Sequence, residues 1–382
     1  MKQCALPVYN KNSCKFFALG RNAIYAACKI LNLKSGDEVL TPAFDCDGTL
    51  QPFIAAGCTL RFFKSNPFTF EADIENLRTK ITSATRLIHV INHFGIPQPW
   101  EDLLALRKST GIPILEDNAY SLFSRWNGRW FGEFGDVSIF SFRKNLPIID
   151  GGMLKINSNV LRFDLPMAKP KLIHKAETIR VLDLCKRKLL SYYKLSPKLK
   201  LLLKIKKSVL TFPPLYSETE DIPIVDNRDI VGKEFSCDYL RPMSKGALLQ
   251  LSQLTSKDFQ DIINKKIASY WWLCEDLKNI KGIRVLMPQI PQGVVPFSVF
   301  LLIDSNRDMV YRGLSGKFEI LTWPTLPVAV LRHLHEFPEV KLLGKKLLLL
   351  NLPADMVRRP DYKIYLRNLA IALHSLAKRY LP

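Results

Sequence analysis

The sequence predicts an α/β protein in which a mainly parallel sheet carries helices on both faces and a smaller α+β domain follows. Two observations predict it. Over the first 160 residues, short β-rich runs alternate with helix-like segments, and after Met243 that rhythm gives way to a long helical pattern. In order, Asn22 to Leu33 places Ile24, Ala27, Cys28 and Leu31 on one helical face, with Gly20 just ahead of it. Candidate strands follow at Glu38 to Pro42, Thr59 to Phe63, Leu87 to Ile91, Ile112 to Leu115, Val137 to Phe142 and Met153 to Ile156. Phe70 to Ile81 and Trp100 to Thr110 read as helices between them, each bracketed by turn-forming residues. Beyond Met243, Leu248, Leu251 and Leu254 continue a helical pattern to Trp271 and Leu277. The expected division is a large domain over 1–245, with a basic helical insertion at about 165–215, and a small domain over 246–382.

Composition narrows the function. No run of about 18 apolar residues occurs, and Met1 to Asn12 carries Lys2, Asn10 and Lys11 where a signal peptide would be apolar, so a cytoplasmic protein is expected. The eight cysteines form no CxxC pair and the six histidines form no HExxH, which argues against zinc and against a disulfide framework. There is no P-loop, no GxGxxG and no GxSxG elbow. The formal charge of +20 is concentrated: Lys169 to Lys207 holds 13 Lys or Arg against Glu177 and Asp183, contributing +11. This stretch is either a solvated basic helix pair or a surface for an anionic partner. Aromatic interleaving within it is limited to Tyr192 and Tyr193, which disfavours nucleic acid and leaves an anionic membrane as the expected surface partner.

The most informative stretch runs from Phe140 through Ser141 and Lys144 to Asp150, Gly151 and Gly152. A Ser and a Lys three apart at the exit of a buried strand can offer a hydroxyl to a phosphate and an amine to a carbonyl, as a Schiff-base site requires. The alternative is a surface lysine after an edge strand. Upstream, Ile114-Leu115-Glu116-Asp117 sets a carboxylate at the carboxyl end of an apolar strand, where open α/β sheets bind ligands. A protonated pyridine nitrogen would partner Asp117; capping of a following helix is the competing role. Gly20-Arg21-Asn22 opens the first helix, whose free N–H groups form a phosphate cradle, although most such glycines only turn the chain.

Taken together these segments resemble the DegT/DnrJ/EryC1/StrS sugar aminotransferases, fold-type I pyridoxal-phosphate enzymes. The resemblance also covers Gly36 to Pro42, His93-Phe94-Gly95-Ile96-Pro97, Phe134-Gly135-Asp136, and Tyr239 to Leu254 with Arg241, Met243 and Ser244. It implies a pyridoxal 5'-phosphate cofactor, with Lys144 bonded to its carbonyl carbon and shuttling the proton, and Asp117 on the pyridine nitrogen. Ser141 and the amides of Arg21 and Asn22 after Gly20 would hold the phosphate. Where many relatives have a Gln near the phenolic oxygen this chain has Tyr120, and the position of the usual stacking aromatic falls on Cys46, with Phe44 two residues away. The turn before the lysine is two residues shorter than in most members, and the Asn lent to a neighbouring subunit's phosphate aligns near Tyr239. The implied activity is transfer of an amino group from an amino acid, glutamate above all, to a nucleotide-linked keto-sugar for surface-polysaccharide or amino-sugar synthesis, by a homodimer. Related dehydratases carry histidine in place of the lysine, so Lys144 favours transamination. Other carbonyl acceptors remain open, as does a divergent protein that keeps the fold and uses its basic insertion to bind a membrane or nucleic acid.

Overall fold

The computed structural model describes residues 5–172, 239–322, 326–354 and 360–381. Most of the basic insertion, from residue 173 on, lies outside the described residues.

The first sheet has seven strands: β1 (Cys14–Phe17), β2 (Glu38–Pro42), β3 (Thr59–Phe63), β4 (Thr85–Ile91), β5 (Ile114–Asn118), β8 (Val137–Ser141) and β9 (Gly152–Ile156). Their order is β1-β9-β8-β5-β4-β2-β3. The pairs β2–β3, β2–β4, β4–β5 and β5–β8 are parallel, and β8–β9 and β9–β1 are antiparallel. Parallel strands need crossovers, here α1 (Gly20–Ile30), α2 (Asp47–Ala55), α3 (Ile74–Lys80) and α4 (Trp100–Thr110). Alternation along the strands sorts the two faces. Val39, Leu87, Leu115 and Val137 pack with Ala23, Ile24 and Ala27 of α1 and Phe53 of α2. Leu40, Ile88, Val90 and Ile114 pack with Leu77 of α3 and Trp100, Leu103 and Leu106 of α4. Helices therefore cover both faces, as the sequence predicts.

Several elements differ from expectation. β1 and α2 were not foreseen, nor was the two-stranded hairpin β6 (Arg125–Trp126) and β7 (Arg129–Trp130), turned by Asn127 and Gly128 at positive φ. The helix expected over Phe70 to Ile81 begins only at Ile74, because the Asp73 carboxylate accepts the Asn76 N–H as an N-cap. After Asn145, which ends the one-turn α5 (Phe142–Asn145), the chain passes through β9 and returns at Tyr239.

The long helical pattern past Met243 is two helices, α6 (Lys245–Ser252) and α7 (Ser256–Leu277). They part at Thr255, whose side chain and that of Asp258 form a reciprocal capping box. An antiparallel sheet follows, ordered β10 (Ile283–Leu286), β11 (Ser298–Ile303), β13 (Leu347–Asn351), β12 (Ile320–Leu321). α7 and the C-terminal helix Tyr362–Tyr380 supply Leu273, Leu277, Leu369 and Leu373 to its core. The two sheets are stitched at Gly95, where φ is +99° and an added Cβ would lie 2.5 Å from the Val295 carbonyl oxygen. Next to it the Phe297 N–H donates to the Phe94 carbonyl at 2.8 Å.

Candidate active site

The carboxyl ends of β4, β5 and β8 converge with the start of α1, and each polar side chain there is held by local geometry. β5 extends through Asn118, so Asp117 is a strand residue rather than a helix cap. Its Oδ1 accepts the Ala119 N–H at 2.7 Å, and Oδ2 faces His89 Nε2 at 3.4 Å. The preceding Glu116 is fully buried and points to the opposite face. It accepts hydrogen bonds from the amides of Gly132, Phe134 and Gly135, from Ser138 and from Asn92, which fixes the loop into β8.

β8 ends at Ser141, and α5 begins at once, carrying Lys144. Asn145 holds this short turn: its amide donates to the Ala119 carbonyl at 2.8 Å and the Ser141 carbonyl at 2.9 Å. Lys144 Nζ lies 3.7 Å from the centroid of the Tyr120 ring, a cation–π contact. Burial pulls the lysine pKa down, but Tyr120, Cys46 and Asp117 together outweigh it and the net shift is upward. Burial likewise raises the Tyr120 phenol, against the pull of Lys144.

The residues expected to cradle a phosphate, Gly20 and Ser141, lie together beside this turn. Gly20 opens α1 against Ser141, close enough that a Cβ on Gly20 would sit 3.3 Å from Ser141 Cβ. Among the described residues no side chain caps the α1 N-terminus, the arrangement an anion at a helix start needs. Asn22 turns away from the cradle, its amide donating to the Tyr239 carbonyl at 2.9 Å. Tyr239 stacks on Tyr25 with centroids 4.6 Å apart. The Gly pair has a structural task. Gly151 adopts φ +140° and donates to the Ala18 carbonyl, and an added Cβ on Gly152 would meet the Leu19 carbonyl at 2.4 Å. Asp150 reaches the other way, accepting the Ser244 N–H at the start of α6.

Asp117, Tyr120 and Cys46 line one narrow cleft together with Asp45, Thr49, Ile91, His93 and Ala119. Cys46 therefore occupies the cleft wall, while Phe44 is buried against Phe70 and His93. Sequence reasoning missed Asp45, Thr49, His89 and His93. Asp45 is buried, its Oδ1 accepts the Cys46 N–H at 2.7 Å, and burial pushes its pKa well above the carboxylate range. His93 Nε2 bonds the Phe44 carbonyl at 2.9 Å, and burial lowers its pKa to about 4. The sequence held no local signal for His89 and His93, whose places follow from the pairing of β4 with β5. Among the described residues, no group of His, Cys, Asp and Glu is arranged to hold a metal.

A lysine, a strand-end carboxylate and a glycine-led helix start thus gather on the carboxyl edge of a mainly parallel sheet, and the fold around them is one that solved aminotransferases share. The structure aligns with the aminotransferase TlmJ from Streptoalloteichus hindustanus at a TM-score of 0.65 and 17% identity, over 95% of this chain and 86% of that one. It aligns with an E. coli GDP-4-keto-6-deoxy-D-mannose-3-dehydratase, solved with bound hydrated PLP, at 0.62 and 17% identity over 94% of this chain and 87% of that one. Residues 12–165 match the model of the DegT/DnrJ/EryC1/StrS aminotransferase family, bearing out the resemblance read from the motifs. The chain is 31% identical over 144 residues to a GDP-perosamine synthase of Escherichia coli O157:H7, covering 37% of this chain and 40% of that one. It is 31% identical over 140 residues, 36% of this chain and 38% of the relative, to a UDP-N-acetyl-3-dehydro-alpha-D-glucosamine 3-aminotransferase of Acidithiobacillus ferrooxidans. The matches thus span about two fifths of the length of these curated relatives.

Proposed function

We propose that the protein is a pyridoxal-phosphate-dependent aminotransferase that moves an amino group from an amino acid, glutamate being the expected donor, to a nucleotide-linked keto-sugar. The observation that carries this reading is the convergence of Lys144, Asp117 and the Gly20–Ser141 cradle at one sheet edge. The residues present fit the cofactor: a cradle in which a Cβ on Gly20 would crowd Ser141 at 3.3 Å, a helix start with no side-chain cap among the described residues, and a carboxylate at the cleft. Pyridoxal phosphate, when bound, supplies an electron sink for the negative charge that develops at the carbon losing or gaining the amine. Lys144 offers the amine that holds the cofactor and afterwards moves the proton between carbons. Asp117 would partner the ring nitrogen, Ser141 and the first amides of α1 would hold the phosphate, and Cys46 would lie beside the ring. The Tyr120 hydroxyl would serve as the donor to the phenolic oxygen.

The relatives' names support a nucleotide-sugar substrate, and the retained Lys144 supports transamination over dehydration. On this reading the protein is a homodimer, and a strictly monomeric active enzyme in sedimentation would contradict that part. The direct test is incubation with pyridoxal phosphate, glutamate and a panel of nucleotide-linked keto-sugars, with products read by mass spectrometry. An aminated nucleotide sugar is expected, and Asp117→Asn should keep the fold yet cut turnover by orders of magnitude. Near-normal turnover in that variant would remove Asp117 from its role.

A further inference from the structure

Behind Asp117 the polar side chains continue as a short row through the sheet. Asp117 stands in register with Ile91 of β4, and His89 lies two residues earlier on the same strand face. Both side chains are on the side covered by α1 and α2, where the next layer is the apolar Val39, Leu87 and Leu115. His89 is fully buried, with Phe53 against its ring at 5.2 Å between centroids. Its Nε2 faces Asp117 Oδ2 at 3.4 Å, and its Nδ1 lies 2.9 Å from Thr41 Oγ1 on β2. A bare ring nitrogen would repel a carboxylate, so Nε2 carries the proton and Nδ1 accepts from the threonine hydroxyl. Thr41, itself fully buried, accommodates that tautomer by donating and so holds the ring in place.

We propose that His89, oriented by Thr41, is a positioning residue that holds the Asp117 carboxylate toward the cleft. The inference rests on the proposed cofactor. At 3.4 Å the contact is longer than a tight charge-assisted bond, so Oδ2 keeps the capacity to accept a second donor, the ring N–H. Without a donor behind it the carboxylate would be free to turn about its side-chain torsion and leave the ring N–H without its partner. With His89 donating to Oδ2 and the Ala119 N–H to Oδ1, the carboxylate is held in one orientation. No metal or further cation is required, because the row ends on a neutral hydroxyl.

The test loads the full-length protein with pyridoxal phosphate labelled with nitrogen-15 and reads the ring-nitrogen chemical shift at one pH. Wild type should give the protonated position. His89→Leu should shift it toward the unprotonated position and weaken cofactor binding about tenfold, the scale of one hydrogen bond to a charged group. His89→Gln, which keeps an N–H donor, should recover part of both effects. Thr41→Val, nearly isosteric, should move the shift in the same direction by less, and it decides the matter if His89→Leu does not fold. An unchanged ring-nitrogen position in folded, cofactor-loaded His89→Leu or Thr41→Val would overturn the role of His89 while leaving the cofactor assignment intact. Failure of wild type to take up the cofactor would overturn the assignment itself.

Discussion

His93 shows how strongly the cleft wall constrains a single side chain. It is buried, its Nε2 is committed to the Phe44 carbonyl, and burial depresses its pKa from 6.5 to about 4. A histidine whose folded pKa is lowered stays neutral in the native state while the unfolded chain takes up a proton first. Its stabilising effect is therefore complete above pH 6.5 and is lost as pH falls through about 4, a change on the order of 3 kcal/mol. Urea titrations from pH 7 to pH 4 should show His93→Gln losing less stability over that window than wild type, and parallel losses would contradict the assignment. Neither His93 nor His89 was legible as a site residue in the sequence. Their places depend on strand pairing: β4 stands beside β5 in a register that puts Ile91 opposite Asp117, and no local spacing states that. Lys144, Asp117 and Ser141 could be picked out in the sequence because each lies within or just past the carboxyl end of its strand.

At the scale of elements, the buried parallel strands were readable, since runs such as Leu87 to Ile91 are apolar on both faces. The helix α2 was not, because Asp47-Gly48 opens it and Pro52 lies inside it, and both read as breakers. β1 is a four-residue strand whose place is fixed only by antiparallel pairing with β9. The same pairing gives the Gly pair its importance. A methyl group on Gly152 would press on the Leu19 carbonyl at 2.4 Å and the Gly20 nitrogen at 2.6 Å, both backbone atoms that cannot swing aside. Gly152→Ala should therefore cost roughly 3 kcal/mol in stability and displace the α1 N-terminus. Calorimetry would detect the first effect. Cofactor titration would detect the second as weakened phosphate binding, and wild-type behaviour in both would sink this account of the motif.

Across the whole molecule, charge is the feature the site does not use. Among the described residues no helix is long and apolar enough to cross a membrane. Yet residues 169–207 carry 13 basic side chains against two acidic ones, with Leu199, Leu201, Leu202, Leu203 and Ile205 among them. We propose that this segment docks the enzyme on an anionic membrane surface, each basic residue contributing up to about 1 kcal/mol. Co-sedimentation with anionic vesicles should fall at high salt, and also when Lys198, Lys200, Lys204, Lys206 and Lys207 are all changed to Gln. Equal sedimentation of both proteins would dismiss the idea, leaving a solvated or packing element.

In the proposed function the chemistry turns on Lys144, the one lysine between Ser141 and Gly151, set by a one-turn helix against the Tyr120 ring. Borohydride treatment of the cofactor-loaded protein, followed by proteolysis and mass spectrometry, reads directly which side chain holds the cofactor. The phosphopyridoxyl group should appear on Lys144, and Lys144→Ala should lose both the label and the visible absorption band. A label on another lysine, or a protein that stays colourless with added pyridoxal phosphate, would contradict the site described here.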